Sequence, residues 1–346
     1  MKRNTLRVGH DSFQEVHDEE IQHEEERQVG NDQLIQQLKE TADKLIRDQA
    51  NRGDIKLLNT ALKELRYAFK IFAAYRNRRK VTVFGSARLL PDHPAYQQAV
   101  AFSRRIAEAG FMVITGAASG IMEAGHVGAG RENSIGVNIL LPFEQEANTI
   151  IAGDKKLMHL KYFFTRKLLF VKESDAVALF PGGFGTLDEG FEVLTLIQTG
   201  KSHIFPIVLV DEPGGDYWQQ YDKFMQEVLV ARGLISPTDL ALYKLADSAE
   251  EAVAEITGFY RVYHSMRYVK GDLVLRLQHS LSEPVLKRIR RQFADIVEAG
   301  TFEQTAALPA EANDTHLADL PRLRFRFDRR NLGRLRMLID TINQEG

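Results

Sequence analysis

Cysteine is absent from the 346 residues. That excludes disulfides, thiolate metal sites and cysteine nucleophiles. It is compatible with a reducing cytoplasm, the expected location. No run of about 18 or more apolar residues occurs, so no transmembrane helix and no membrane partner are expected. The N-terminus, MKRNTLRVGHDSFQEVHDEE, lacks an apolar h-region and does not read as a secretory signal. Net charge is only −2, so no global polycation invites nucleic acid. The full Walker phosphate loop does not occur. The stretch GSARLL after the first predicted strand lacks the glycines of a dinucleotide fingerprint. No internal repeat is visible.

What is present is a core. With 44% hydrophobic residues, the chain can build one large domain plus appendages. Residues 1–30 read as a mobile acidic tail, whose His10, His17 and His23 are better explained by solvation than by metal. Residues 31–79 read as a helical extension of two helices, on Leu34, Leu38, Leu45 and Ile46, then Leu58, Leu62, Leu65, Phe69 and Phe72. Such helices cover a sheet or make a subunit contact.

From 80 to 262 short β-branched runs alternate with amphipathic stretches: KVTVF, FMVIT, SIGVNILLP, AVALF and PIVLV, with KLMHLKYFFT as a further candidate. The expected fold class is α/β, a Rossmann-type doubly wound parallel sheet. Residues 263–346 read as a small α+β appendage of order ββαβα, with one helix from Glu283 to Ala299 and a strand at RLRFRF. Its basic run from Arg322 to Arg336 reads as a solvated strand face beside a helix, with a polyanion site as the alternative.

Ligands of open parallel sheets bind at the carboxyl ends of the strands, and glycine-bearing loops fall there. In FGSAR, Gly85 allows a tight turn and Ser86 offers a hydroxyl. In TGAASGIMEAG, Gly116 and Gly120 let a ligand approach, and Met122 is either core or a base contact. In LFPGGFGTLDEGFE, Gly182, Gly183 and Gly185 present bare amides before a helix, and Thr186 adds a hydroxyl. These groups suit a phosphate. The acids that follow have a purely structural reading. Thr186-Leu-Asp-Glu189 fits a capping box, with Glu189 bonding back to the Thr186 amide. Asp188 is expected to face solvent or a partner, and Glu192 to be an ordinary helix residue. Fifteen residues before Pro181, Arg166 and Lys167 open a helix, where cations oppose the dipole; they are therefore expected to serve an anion.

The motif P-G-G-x-G-T-x-x-E at Pro181–Glu189, with the Arg166-Lys167 pair, resembles the hallmark of the LOG family of phosphoribohydrolases, many once labelled lysine decarboxylases. The resemblance covers about Val81 to Thr199. This chain has Thr115-Gly116-Ala117-Ala118 where many members carry T-G-G-G. The resemblance implies a modified Rossmann sheet and a homodimer or higher homo-oligomer. It implies hydrolysis of the N-glycosidic bond of nucleoside 5′-monophosphates such as AMP, without cofactor or metal. Glu189 and Arg166 would be catalytic. Gly182, Gly183, Gly185, Thr186, Lys167, Gly85, Ser86, Gly116, Gly120 and Met122 would bind substrate. A decarboxylase is not expected, because no lysine lies in a recognisable pyridoxal-phosphate context. The alternative is a non-catalytic nucleotide or molybdenum-cofactor carrier of the same fold.

Overall fold

The computed structural model describes residues 30–139 and 147–346. Apart from Gly30, the acidic tail expected from the sequence lies outside these residues. The chain divides into a unit ending at Thr60 and a unit from Ala61 onward. In the first, α1 (Asn31–Arg47) buries no residue, and Leu34, Ile35, Leu38 and Ile46 stay exposed along it. The helix α2 (Arg52–Ala73) runs across the division, and its later half buries Ala61, Ala68 and Phe72.

The second unit is built on seven strands. They are β1 (Lys80–Phe84), β2 (Met112–Thr115), β3 (Ser134–Ile139), β4 (Leu157–Leu160), β5 (Ala176–Leu179), β6 (Ile207–Val210) and β7 (Tyr243–Ala246). Their order is β4-β3-β2-β1-β5-β6-β7, and every pairing is parallel. The helices between them are α3 (Pro94–Glu108), α4 (Ile121–Asn133), α5 (Phe163–Lys172), α6 (Phe184–Gln198) and α7 (Tyr217–Phe224), and α8 (Ala249–Phe259) follows β7. Alternation along a strand sends side chains to opposite faces. Val81 and Val83 thus join Phe102 and Ile106 of α3 and Ile256 of α8. Phe84 points the other way and meets Phe170 of α5 edge-on at 5.0 Å. Both faces are apolar because both are covered.

The strand β7 has no clear signal in the sequence. Its pattern is mixed because Lys244 is exposed on the outermost strand of the sheet.

A second sheet follows, of β8 (Tyr263–Val269), β9 (Asp272–Leu277), β10 (Val297–Thr305) and β11 (Arg322–Phe327), ordered β10-β11-β9-β8 and antiparallel. Its helices are α9 (Glu283–Gln292) and α10 (Leu332–Glu345). The single helix expected from Glu283 to Ala299 is wrong: it stops at Gln292, and Val297–Thr305 pairs with β11. The order is ββαββα. In the extended form Phe302 buries against Phe325, with ring centroids 4.4 Å apart, and packing overrides the local helical reading. The last helix of the appendage is stitched to the end of α8 and to the start of β8. Asn343 of α10 accepts from the Val262 and Tyr263 amides at 2.9 Å and donates to the Phe259 carbonyl at 2.6 Å.

Five arginines of the basic run carry carboxylate partners. Arg322 pairs with Glu311, Arg324 with Glu303 and Asp272, Arg326 with Glu298 and Asp272, Arg334 with Asp295, and Arg336 with Glu255 and Asp340. The buried hub is Glu311. It takes two bonds from Arg276, at 2.9 and 2.7 Å, and one from Arg322 at 3.0 Å, pinning the segment between β10 and β11. Burial pushes the Glu311 carboxyl up, but Arg322 and Arg276 outweigh it and hold it below its ordinary 4.5.

Glu311→Ala leaves the buried Arg322 guanidinium without a carboxylate and Arg276 with Asp314 alone, and is predicted to cost about 3–5 kcal/mol in urea unfolding. Because the folded pKa is lowered, the stabilisation from Glu311 is present above pH 4.5 and is lost as pH falls through the lower folded value.

Candidate functional site

The strand order reverses direction at β1. From there β2, β3 and β4 run one way and β5, β6 and β7 the other, which opens a crevice at the carboxyl ends of β1 and β5. Three loops meet there and are bonded to one another. The Ser86 amide donates to the Pro181 carbonyl at 3.1 Å, and the Ile121 amide to the Ser86 carbonyl at 2.9 Å. Ser119 Oγ donates to the Ala87 carbonyl at 2.9 Å. Together they border a cavity of about 670 Å³, lined by Phe84 to Arg88, Met122, Arg166, Gly183 to Leu187, and Glu189.

The two kinds of glycine in the PGGFG turn differ in their surroundings. A Cβ on Gly182 would lie 2.1 Å from Thr186 Oγ1, and Tyr217 Oη donates to the Gly182 carbonyl at 2.6 Å. Gly182 therefore closes the turn and does not line the cavity. A Cβ on Gly183 or Gly185 would meet nothing within 4 Å, so both face open space. Gly183 is extended and caps α6, which starts at Phe184 with no acid in its first turn. The amides of that first turn have no intrahelical acceptor, and with the helix dipole they favour an anion.

This start excludes the capping box. Thr186 lies inside the helix, and its amide donates to the Gly183 carbonyl at 3.1 Å. Glu189 instead faces Lys167 Nζ at 3.2 Å. The sequence pattern misplaces the cap because it reads the helix as opening at its threonine, whereas the chain enters the helix two residues earlier.

Glu189 is only 5% exposed, yet it lines the cavity. Burial raises its pKa, against the opposing charges of Lys167 and Arg166. Lys167 is shared by three carboxylates, at 2.9 Å from Asp188, 3.2 Å from Glu189 and 2.6 Å from Glu192. It does not line the cavity, so its expected contact with phosphate gives way to a charge-balancing place behind Glu189. Asp188 is exposed as expected, although it pairs with Lys167.

Arg166 does line the cavity. Its guanidinium lies 5.3 Å from the Phe163 ring and 5.4 Å from the Phe170 ring. Nε is buried without a hydrogen-bond partner, and among the described residues no carboxylate stands within ion-pairing distance. A buried donor left over in this way fits an anionic guest. The helix α5 opens at Phe163, one turn before Arg166, so the dipole argument for this pair does not hold. An acid is placed at that helix start instead: Glu64 of α2 accepts from the Lys161 amide and from Thr165 Oγ1, both at 2.7 Å.

Gly85, Ser86 and Met122 line the cavity, whereas Gly116 and Gly120 stand behind its wall. A Cβ on Gly120 would lie 2.2 Å from the Ser86 carbonyl, and one on Gly116 2.6 Å from the Met122 sulfur. Sequence reasoning passed over Arg88 and Phe184. Arg88 is the second cation of the cavity, and its signal was a basic residue inside a strand-end loop. Phe184 is 93% exposed between the two open glycines.

The family model described as "Possible lysine decarboxylase" matches residues 115–256. A cytokinin riboside 5′-monophosphate phosphoribohydrolase of Arabidopsis thaliana is 37% identical over 94 residues, 27% of this chain and 42% of that protein. A second from the same plant is 30% identical over 169 residues, 47% of this chain and 74% of that protein. One from Mycobacterium tuberculosis is 34% identical over 90 residues, 25% and 45% of the two chains. The chain spans about two fifths of the length of the first of these relatives. Among solved structures, the molybdenum cofactor binding protein of Rippkaea orientalis matches 52% of this chain and 96% of its own, at 21% identity and a TM-score of 0.36, a likeness too low to bear on function.

The glycine contrast gives a test. Gly182→Ala is predicted to lower stability by about 1–3 kcal/mol through overpacking, whereas Gly185→Ala, inside α6 with open space around it, does not lower the melting temperature; thermal unfolding of the two variants checks both.

Proposed function

The chain belongs to the LOG family of cytokinin riboside 5′-monophosphate phosphoribohydrolases, and from that membership we propose that it hydrolyses the N-glycosidic bond of nucleoside 5′-monophosphates. Water and substrate become free base and ribose 5-phosphate. The observation that carries this reading is the buried Glu189, one turn along α6 from Thr186 and lining the same cavity.

The residues divide the substrate between them. The 5′-phosphate rests on the first-turn amides at Phe184 and Gly185 and on the Thr186 hydroxyl. Arg166 gives its unpaired guanidinium edge to the sugar phosphate. Met122, Phe84 and the Gly85-Ser86 turn border the space left for the base. Leaving of the base builds positive charge on the ribose. The Glu189 carboxylate stabilises that charge and takes a proton from the attacking water. The hydroxyl adds to C1′, and a proton reaches the departing base. Lys167 draws the Glu189 pKa down against the effect of burial, without occupying the cavity.

A homodimer is part of the proposal. Phe163, Phe164 and Leu168 are exposed on α5, and Leu62 and Phe69 are exposed on the adjoining part of α2. Lys172 of α5 sits over the Phe69 ring at 4.9 Å and Thr165 donates to Glu64, so the two helices lie side by side. Such a surface is characteristic of a contact between chains.

Glu189→Gln is predicted to bind nucleoside monophosphates within a few-fold of the parent while kcat falls about 10²–10⁴-fold; unchanged turnover would reduce Glu189 to a structural residue. The base form is the active one, and burial raises its pKa. Activity should therefore fall with decreasing pH along a limb centred above 4.5. Phe164→Asp with Leu168→Asp should halve the sedimenting mass, and an unchanged mass would remove this face from the contact.

A further inference from the structure

Behind the cavity wall lies a buried polar cluster that the reaction does not touch. The loop after β2 turns at Ala117, a non-glycine residue with φ of 60° that is wholly buried. An alanine held there costs about 1–2 kcal/mol, so something must hold it. Its amide donates to Thr115 Oγ1 at 2.9 Å, and its carbonyl accepts from the Asn148 amide at 2.8 Å. The Asn148 side chain donates to the Ala118 carbonyl at 3.2 Å and stands 3.1 Å from His126 Nδ1. His126 Nε2 is 3.2 Å from the Ile135 carbonyl and 3.0 Å from Thr115 Oγ1.

These contacts fix the protonation pattern. The Ile135 carbonyl can only accept, so Nε2 carries the proton and Nδ1 accepts. The two Asn148 N–H groups then go one to His126 Nδ1 and one to the Ala118 carbonyl. Burial holds His126 neutral, with its pKa pushed down to about 4. Asn148 Oδ1 also stands 3.3 Å from Nδ1, so burial and not the Asn148 side chain is what keeps the ring neutral.

The clamped loop reaches the reaction site through Gly116, which lies between Thr115 and Ala117. A Cβ on Gly116 would lie 2.6 Å from the Met122 sulfur and 3.6 Å from Arg166 Nη1. The loop backbone is thus the wall against which Arg166 and Met122 rest.

We propose that His126 and Asn148 are positioning residues, which clamp the strained Thr115–Ala118 loop and so set the place of the Arg166 guanidinium in the cavity. This rests on the functional reading above. It also explains how the chain tolerates Ala117 and Ala118 in a loop where close backbone approach would favour glycine.

The test is a double-mutant cycle, with thermal unfolding to confirm that each variant folds. Asn148→Ala is expected to lower kcat/KM for AMP about 10–100-fold, the scale of a sub-ångström to ångström misplacement. The same change in an Arg166→Ala background should cost less than about three-fold, because its effect passes through Arg166. Ala117→Gly, which removes the strain, should recover part of the Asn148→Ala loss. An additive loss in the Arg166→Ala background, or full activity of Asn148→Ala, overturns the inference. Should Asn148→Ala fail to fold, Asn148→Asp keeps its shape, removes both donors and carries the same expectations. If the parent chain releases no base, it is the functional reading that fails. The clamp is then tested on AMP affinity, where the same Arg166-dependent loss is expected and an Arg166-independent one overturns it.

Discussion

Lys167 is the residue on which the site depends. It brings one ammonium group within 3.2 Å of three carboxylates, those of Asp188, Glu189 and Glu192. Without it, Glu189 would be a buried acid close to an anion-binding turn, and burial together with that anion would neutralise it. With it, the acid has a cationic partner from behind, and its cavity-facing side stays available. The arrangement separates two tasks that compete for the same cations. Lys167 answers the acid, and in the proposed reaction Arg166, with its buried Nε unpaired, serves the substrate.

The fold supplies the place for this division. Parallel strands bring the ends of β1, β2 and β5 side by side, and bonds from Ser86, Ile121 and Ser119 tie their loops into one rim. Glycines serve two purposes within that rim. Gly182 and Gly120 allow backbones to approach more closely than a Cβ permits, while Gly183 and Gly185 leave amides uncovered. The clamp of His126 and Asn148 extends the same logic one layer outward, from a strained alanine to the wall beside Arg166.

Much of this was legible in the sequence. Apolar runs without polar alternation, such as IVLV in β6, mark strands buried on both faces, and the PGGFGT stretch announces uncovered amides before a helix. The errors share a cause, which is that local grammar cannot see tertiary partners. The capping-box pattern placed the start of α6 at Thr186, but an extended Gly183 puts it earlier. The helix pattern ran on to Ala299, but Phe302 gains a buried partner in Phe325 by leaving it. Lys167 looked like an anion ligand beside Arg166, although neighbours on a helix face different ways and only one of the two meets the cavity. The basic run of the appendage read as a solvated strand face, but Arg322 and Arg336 are buried, and the carboxylate partners that allow this lie far off in the sequence, as Glu255 does.

The central claim is that this cavity cleaves a glycosidic bond and leaves the phosphate ester intact. The most direct measurement is the identity of the products when the purified chain is incubated with AMP, read by chromatography of base, nucleoside and sugar phosphate. The account predicts adenine and ribose 5-phosphate in equal amounts, with no adenosine. Release of adenosine and inorganic phosphate, or no product from AMP, GMP or CMP, would contradict it.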